Sequence, residues 1–133
     1  MKKLIGIIGV LLMLAFIPQQ SNAQSGYLGA LDTLTNADTT TYTVTVTGTR
    51  SIISFGTNVT RISGTVAGTI KLYGSVDGTN YTTHAVDSLA LSNSSVNFLP
   101  LKLTSNPYQK YKLTIITSGT QACSQRTYLI QRN

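Results

Sequence analysis

Apolar and polar residues alternate with a period of two along most of the chain from position 41 onward. In Thr41–Thr47, Tyr42, Val44 and Val46 occupy every second position and threonines fill the rest. Successive side chains of a strand point to opposite faces, so this pattern predicts a strand with one face on a core and one in water. Ser51–Phe55 repeats it, with Ile53 and Phe55 on one face and Ile52 on the other. Gly56-Thr57-Asn58 then reads as a turn and Val59–Ser63 as a further strand. In Thr69–Val76, Ile70, Leu72 and Val76 alternate with Lys71, Tyr73 and Ser75. Asp77-Gly78 follows at once and Tyr81 restarts the run. Asp-Gly between alternating segments predicts a hairpin, here over Thr69–Val86, because glycine accepts the positive φ of the turn.

Asp87–Leu91 is a short apolar segment and Ser92–Ser95 a polar turn. Val96–Leu103 carries Pro100, which cannot donate to a ladder, so it is expected at a sheet edge or bulged. Tyr108–Thr117 sets Tyr111, Leu113 and Ile115 against Lys110, Lys112 and Thr114. Gln121–Gln131 closes the chain, with Tyr128 and Ile130 on one face and Cys123 and Leu129 on the other. Tyr27–Thr40 is less patterned, an initial strand or an arm that pairs with a neighbouring subunit. About eight short strands with turns every 8 to 12 residues, and no helical period, predict an all-β protein. The expected architecture is a single antiparallel β-sandwich, jelly-roll-like or immunoglobulin-like.

The first 23 residues break this pattern. Met1-Lys2-Lys3 is positive, Leu4–Ile17 is apolar, Pro18 interrupts it, and Ser21-Asn22-Ala23 places small residues before Gln24. That is the layout of a cleavable secretory signal helix over 1–23, leaving a domain over 24–133. The apolar run is shorter than the roughly 20 residues of a membrane span. The expectation is export to the periplasm, cell surface or medium, with no membrane attachment after cleavage.

Composition sharpens the reading. Only 11% of residues are charged, Glu is absent, and the acids are Asp32, Asp38, Asp77 and Asp87. Beyond the leader, eight Lys/Arg stand against four Asp, a net charge of +4. Five of those cations are spread thinly over the last 33 residues. Nucleic-acid recognition needs clustered cations with stacking aromatics, so no nucleic-acid partner is expected. Cys123 is the single cysteine, which excludes an internal disulfide and fits a buried, inert thiol. Stability must then come from the core or from self-association.

Catalytic chemistry has little to stand on. His84 is the only histidine, and no nucleophile elbow, zinc signature or phosphate loop is present. No cofactor or metal is expected, and Asp77 reads as a turn residue accepting backbone hydrogen bonds. Tyr73, Tyr81 and Tyr108 are the candidate ligand-binding side chains, because tyrosine rings on or beside the hairpin can stack on sugar faces; their other role is to cover the core.

The segment Ser63–Tyr81, with its Gly-Ser-Val-Asp-Gly-Thr-Asn-Tyr ending, resembles small β-sandwich modules of bacteriophage and prophage virion proteins, capsid- or tail-associated. Asp32–Thr39 and the tail from Ser118 to Arg132 are similar to the same group. The resemblance implies a structural or adhesive role, a virion location, protein partners or self-association, and no catalytic residues. Together these readings give a non-catalytic structural or adhesion module, exported or virion-associated. The alternative is a secreted carbohydrate-binding module whose partner is a surface glycan.

Overall fold

The computed structural model describes residues 24–46, 52–103 and 107–132; the expected signal helix over 1–23 lies outside them. Eight strands form: β1 (Gln24–Thr35), β2 (Thr39–Thr45), β3 (Ile52–Gly64), β4 (Gly68–Ser75), β5 (Asp87–Leu91), β6 (Val96–Leu103), β7 (Lys110–Thr117) and β8 (Gln121–Arg132). They make two four-stranded sheets, ordered β1-β8-β3-β6 and β2-β7-β4-β5, with every pairing antiparallel. The first strand thus pairs the last, the second the seventh, the third the sixth and the fourth the fifth. A long hairpin rolled onto itself gives this order. Of the two expected architectures, the jelly roll is the one formed.

The two sheets enclose one core. Ile53, Phe55 and Val59 of β3, Leu101 of β6 and Cys123 of β8 face Ile70 and Leu72 of β4 and Tyr111, Leu113 and Ile115 of β7, all of them buried. Burying each large aliphatic or aromatic side chain contributes about 1.5–3 kcal/mol, which must replace the missing disulfide. Phe55 and Tyr111 join the layers edge to face, with ring centroids 6.0 Å apart. Burial pushes the Tyr111 hydroxyl up to about 12.

The alternation of Tyr42, Val44 and Val46 holds: Val44 is buried and the other two pack on the core. Val96–Leu103 is an edge strand, as Pro100 requires. The unpatterned Tyr27–Thr40 supplies most of β1 and the start of β2.

Three local expectations are corrected. Gly56-Thr57-Asn58 is not a turn but the middle of β3, because this strand is flanked on both sides: Gly56 pairs with Pro100 of β6 and with Tyr128 of β8. Pairing on two edges overrides local turn preference. The hairpin expected over Thr69–Val86 forms with a later return strand: β4 pairs antiparallel with β5, and residues 76–86 are a loop. The Asp77 carboxylate accepts the backbone N–H groups of Thr79 and Asn80, at 2.9 and 2.8 Å, and winds the chain into a local turn with Gly78 at φ 76°. The return leg bonds back only at Thr82 and Val86, and the ladder settles at β5. Finally, Val76 lies outside the sheet and is exposed, whereas Ser75 is buried and donates to Asp77 at 2.9 Å.

Candidate functional site: the outer face of one sheet

The outer faces of the two sheets differ in kind. On the β2-β7-β4-β5 sheet, Thr41, Thr43 and Thr45 stand exposed beside Lys71 and Lys112. That is an ordinary solvated face. On the β1-β8-β3-β6 sheet several outward positions are large and apolar. Phe98 is 63% exposed, Tyr27 61%, Leu31 58% and Ile130 37%. Scattered exposed hydrophobics need no explanation, but a contiguous apolar face marks an interaction site.

Register shows how the face is built. Arg126 of β8 lies opposite Asn58 of β3, which lies opposite Phe98 of β6. In the next row come Tyr128, Gly56 and Pro100, and in the third Ile130, Ser54 and Lys102. The central column is small, the flanking columns bulky, so a groove runs along β3. At about 3.3 Å per residue it is about 13 Å long from Ser54 to Asn58. This open groove has a volume of about 420 Å³ and is lined chiefly by apolar atoms of Phe98, Pro100, Tyr128 and Ile130. Gly56 is its floor: a Cβ there would stand 3.1 Å from the Phe98 ring. A second hollow of about 200 Å³, reaching Arg126 and Leu31, shares Asn58 and Tyr128 with the first.

Polar chemistry is concentrated at the Asn58 end. Its Oδ1 is buried and has no hydrogen-bond partner. A buried acceptor left unmatched costs about 1–3 kcal/mol. Next to it, the Arg126 guanidinium carbon lies 4.9 Å from the centroid of Tyr27, whose ring tilts against Tyr128 at 5.0 Å. Arg126 and Lys102 are cations of this face, and none of the four Asp lies on it. Each Asp carboxylate instead takes a nearby backbone N–H: Thr33 for Asp32, Thr39 for Asp38, Thr79 and Asn80 for Asp77, Ser88 for Asp87.

The side chains singled out from the sequence lie elsewhere. Tyr73 and Tyr81 come together on the opposite sheet around Lys112, whose Nζ is 5.0 and 4.6 Å from their ring centroids. With Lys110 Nζ donating to Gly78 O at 3.3 Å, this clasp ties the loop between β4 and β5 to β7. Tyr108 is separate: it packs over Gly74 and meets Tyr111 edge-on at 5.6 Å. His84 is exposed in the β4–β5 loop. Among the described residues no group of three or more His, Cys, Asp or Glu could hold a metal. Also among them, no helix is long and apolar enough to cross a membrane.

Sequence reasoning missed Phe98, Arg126 and the Gly56 floor. The signal was present in the pairing of Tyr128 with Ile130, set opposite Cys123 and Leu129, which leaves one large aromatic and one aliphatic side chain facing out.

The fold and this face define a two-sheet jelly-roll module with one polar and one apolar outer surface. The chain matches no protein-family model and no curated protein sequence. Among solved structures, a chain of infectious bursal disease virus, Gx strain, aligns with TM-score 0.59 and 15% identity, covering 86% of this chain and 33% of that one. The enzymatically active domain of bacteriophage CBA120 tailspike protein 4 aligns at 0.51 with 11% identity, over 83% of this chain and 19% of that one. The insecticidal delta-endotoxin Cry8Ea1 of Bacillus thuringiensis aligns at 0.50 with 12% identity, over 79% and 20%. This chain therefore spans a third or less of each of these proteins. At such identities the likeness is one of fold. A virus chain and a phage tailspike share it, in keeping with the virion-like β-module that Ser63–Tyr81 resembles. An insecticidal toxin shares it as well, so the fold by itself assigns no function.

Proposed function

We propose that this chain is a non-catalytic β-sandwich module of structural or adhesive character, exported or virion-associated, that docks to its partner through the outer face of the β1-β8-β3-β6 sheet. One observation carries the reading: large exposed hydrophobics concentrate on that face, while the other sheet shows threonine and lysine to water. Leaving such a face in water exposes the monomer to unspecific association, and a partner that covers it removes that liability. A rigid sheet also presents the face without loop ordering, which lowers the entropic cost of binding.

Adherence of fluorescently tagged protein to envelope preparations of its source cells tests this. The pair Tyr27→Ser and Phe98→Ser should abolish adherence, and light scattering should show any self-association lost with it. A control pair on the other sheet, Thr43→Ala and Lys71→Ala, should leave both unchanged. Equal adherence of the two pairs would remove the outer face from consideration.

A further inference from the structure

We infer that the groove along β3 holds a carboxylated pyranose unit of a glycan, its ring face on the Tyr128 side of the Gly56 floor and its carboxylate on Arg126. This rests on the docking face proposed above and names its ligand.

Three features on that face select the chemistry. First, the surfaces are flat rings. Tyr128, Phe98 and Pro100 border a shallow open trough, with Tyr27 beyond it against Tyr128, whereas protein hot spots sit in enclosed, desolvated pockets. The C–H bonds on one face of a pyranose carry partial positive charge, and the negative face of an aromatic ring attracts them. The groove volume of about 420 Å³ lies in the range of small-ligand sites.

Second, the charge is one-signed. Arg126 and Lys102 stand in the first and third rows, at opposite corners of this face, Arg126 lining the adjoining hollow, and every Asp carboxylate is engaged away from this face. A second copy docking face to face would set cation against cation. A carboxylate is the complementary group. Tyr27 holds the Arg126 guanidinium over its ring face, which restricts the side chain before the ligand arrives. The in-plane N–H pair of a guanidinium matches the two oxygens of a planar carboxylate.

Third, the polar lining suits a polyhydroxylated ligand. Asn58 Oδ1 lacks a donor, and Asn58 lies between the two hollows, in the same row as Arg126. A sugar hydroxyl is a donor of the kind that this buried oxygen lacks. Ser54 and Thr60 add hydroxyls along the same strand face. An acidic peptide offers the carboxylate but few hydroxyl donors.

Calorimetric titration of the purified full chain with four probes tests the assignment: oligogalacturonate, a neutral cello-oligosaccharide, dextran sulfate and polyglutamate. Oligogalacturonate should bind at least tenfold tighter than each of the others. Amide chemical-shift changes should map to residues 54–58 and 126–130. Arg126→Gln should weaken oligogalacturonate at least tenfold, Arg126→Lys should recover little of it, and Tyr128→Ala should lose it. Shift mapping on the unaltered protein guards against a variant that fails to fold. Polyglutamate binding as tightly would reassign the site to acidic peptide. Tighter dextran sulfate would replace the carboxylate by a sulfate, and equal neutral binding would remove the anion. Binding of none of the four would overturn the glycan assignment. The docking face would survive that result only if envelope adherence still depends on Tyr27 and Phe98.

Discussion

Gln125, buried at the middle of β8, donates its side-chain amide to the hydroxyl of Tyr42 on β2, so a polar contact crosses the sandwich between its two sheets. The Gln125 carbonyl accepts from Thr127 Oγ1 at 3.4 Å, and Thr127 meets Thr57 Oγ1 at 3.1 Å. Thr57, Gln125 and Thr127 are all buried, so a thread of polar groups runs through an otherwise apolar layer. Such groups fix one arrangement of the sheets only while each keeps its partner.

Removing the Tyr42 hydroxyl therefore leaves the buried Gln125 amide without its acceptor. Tyr42→Phe should lower unfolding stability by about 1–3 kcal/mol, the cost of a buried polar group left unpaired. Urea unfolding of Tyr42→Phe, Gln125→Leu and the double variant makes the test. In the double variant both polar ends are gone, so its loss should be smaller than the sum of the singles. Additive losses would mean that the two side chains do not depend on each other.

Gly74 on β4 is set by Tyr108. A Cβ built on it would stand 2.4 Å from the Tyr108 ring, and its φ is not in the left-handed region, so the constraint is one of space alone. Gly74→Ala should cost about 1–3 kcal/mol through overpacking. With Tyr108→Ala as background, the same change should cost less than about 0.5 kcal/mol, the range of a substitution with nothing to disturb. Thermal unfolding of the four proteins decides this, and an undiminished cost in the Tyr108→Ala background would place the strain elsewhere.

Cys123 should be inert in the folded protein. Its side chain is fully buried, and burial, with a smaller contribution from the Asp38 charge, raises its pKa and disfavours the reactive thiolate. A thiol reagent at neutral pH should label it only as fast as the protein unfolds, and at once in denaturant. Rapid labelling without denaturant would contradict the packing around β8.

The strands that were legible in the sequence are those in which one face alone is buried. Thr41–Thr45 and Tyr108–Thr117 alternate because one side meets Phe55, Ile53 and their neighbours while the other meets water. Gly56-Thr57-Asn58 misled because its residues are turn formers. Thr57 is nevertheless buried against Thr127, and Gly56 is covered by Phe98, partners more than forty positions away in the chain. The groove was illegible for the same reason. Arg126, Asn58 and Phe98 form a row only after β3 pairs with both β6 and β8, and no local period encodes that register. Asp77-Gly78 forms the turn its residue types predict, and the Tyr73–Lys112–Tyr81 clasp beside it is another long-range contact that no local pattern encodes.

The turn after β4 should make stability depend on acid. The Asp77 carboxylate accepts the backbone N–H of Thr79 and of Asn80, then the Asn80 side-chain amide at 2.6 Å and the Ser75 hydroxyl. These hydrogen bonds hold its pKa well below the ordinary carboxylate range. A folded-state pKa lower than the unfolded one means that the unfolded chain binds the proton more readily. The resulting stabilisation is complete above the unfolded value, about 3.9, and is lost as pH falls through the folded value. Asparagine at 77 keeps an oxygen for the two backbone N–H groups but carries no titrating charge. Stability of Asp77→Asn should therefore trail the unaltered protein at pH 5 to 7, and the gap should close on acidification below about pH 4. Urea midpoints across that range, with a direct NMR titration of the Asp77 carboxyl, measure both halves. A gap that stays constant down to pH 2 would show that the charge of Asp77 contributes nothing to the turn.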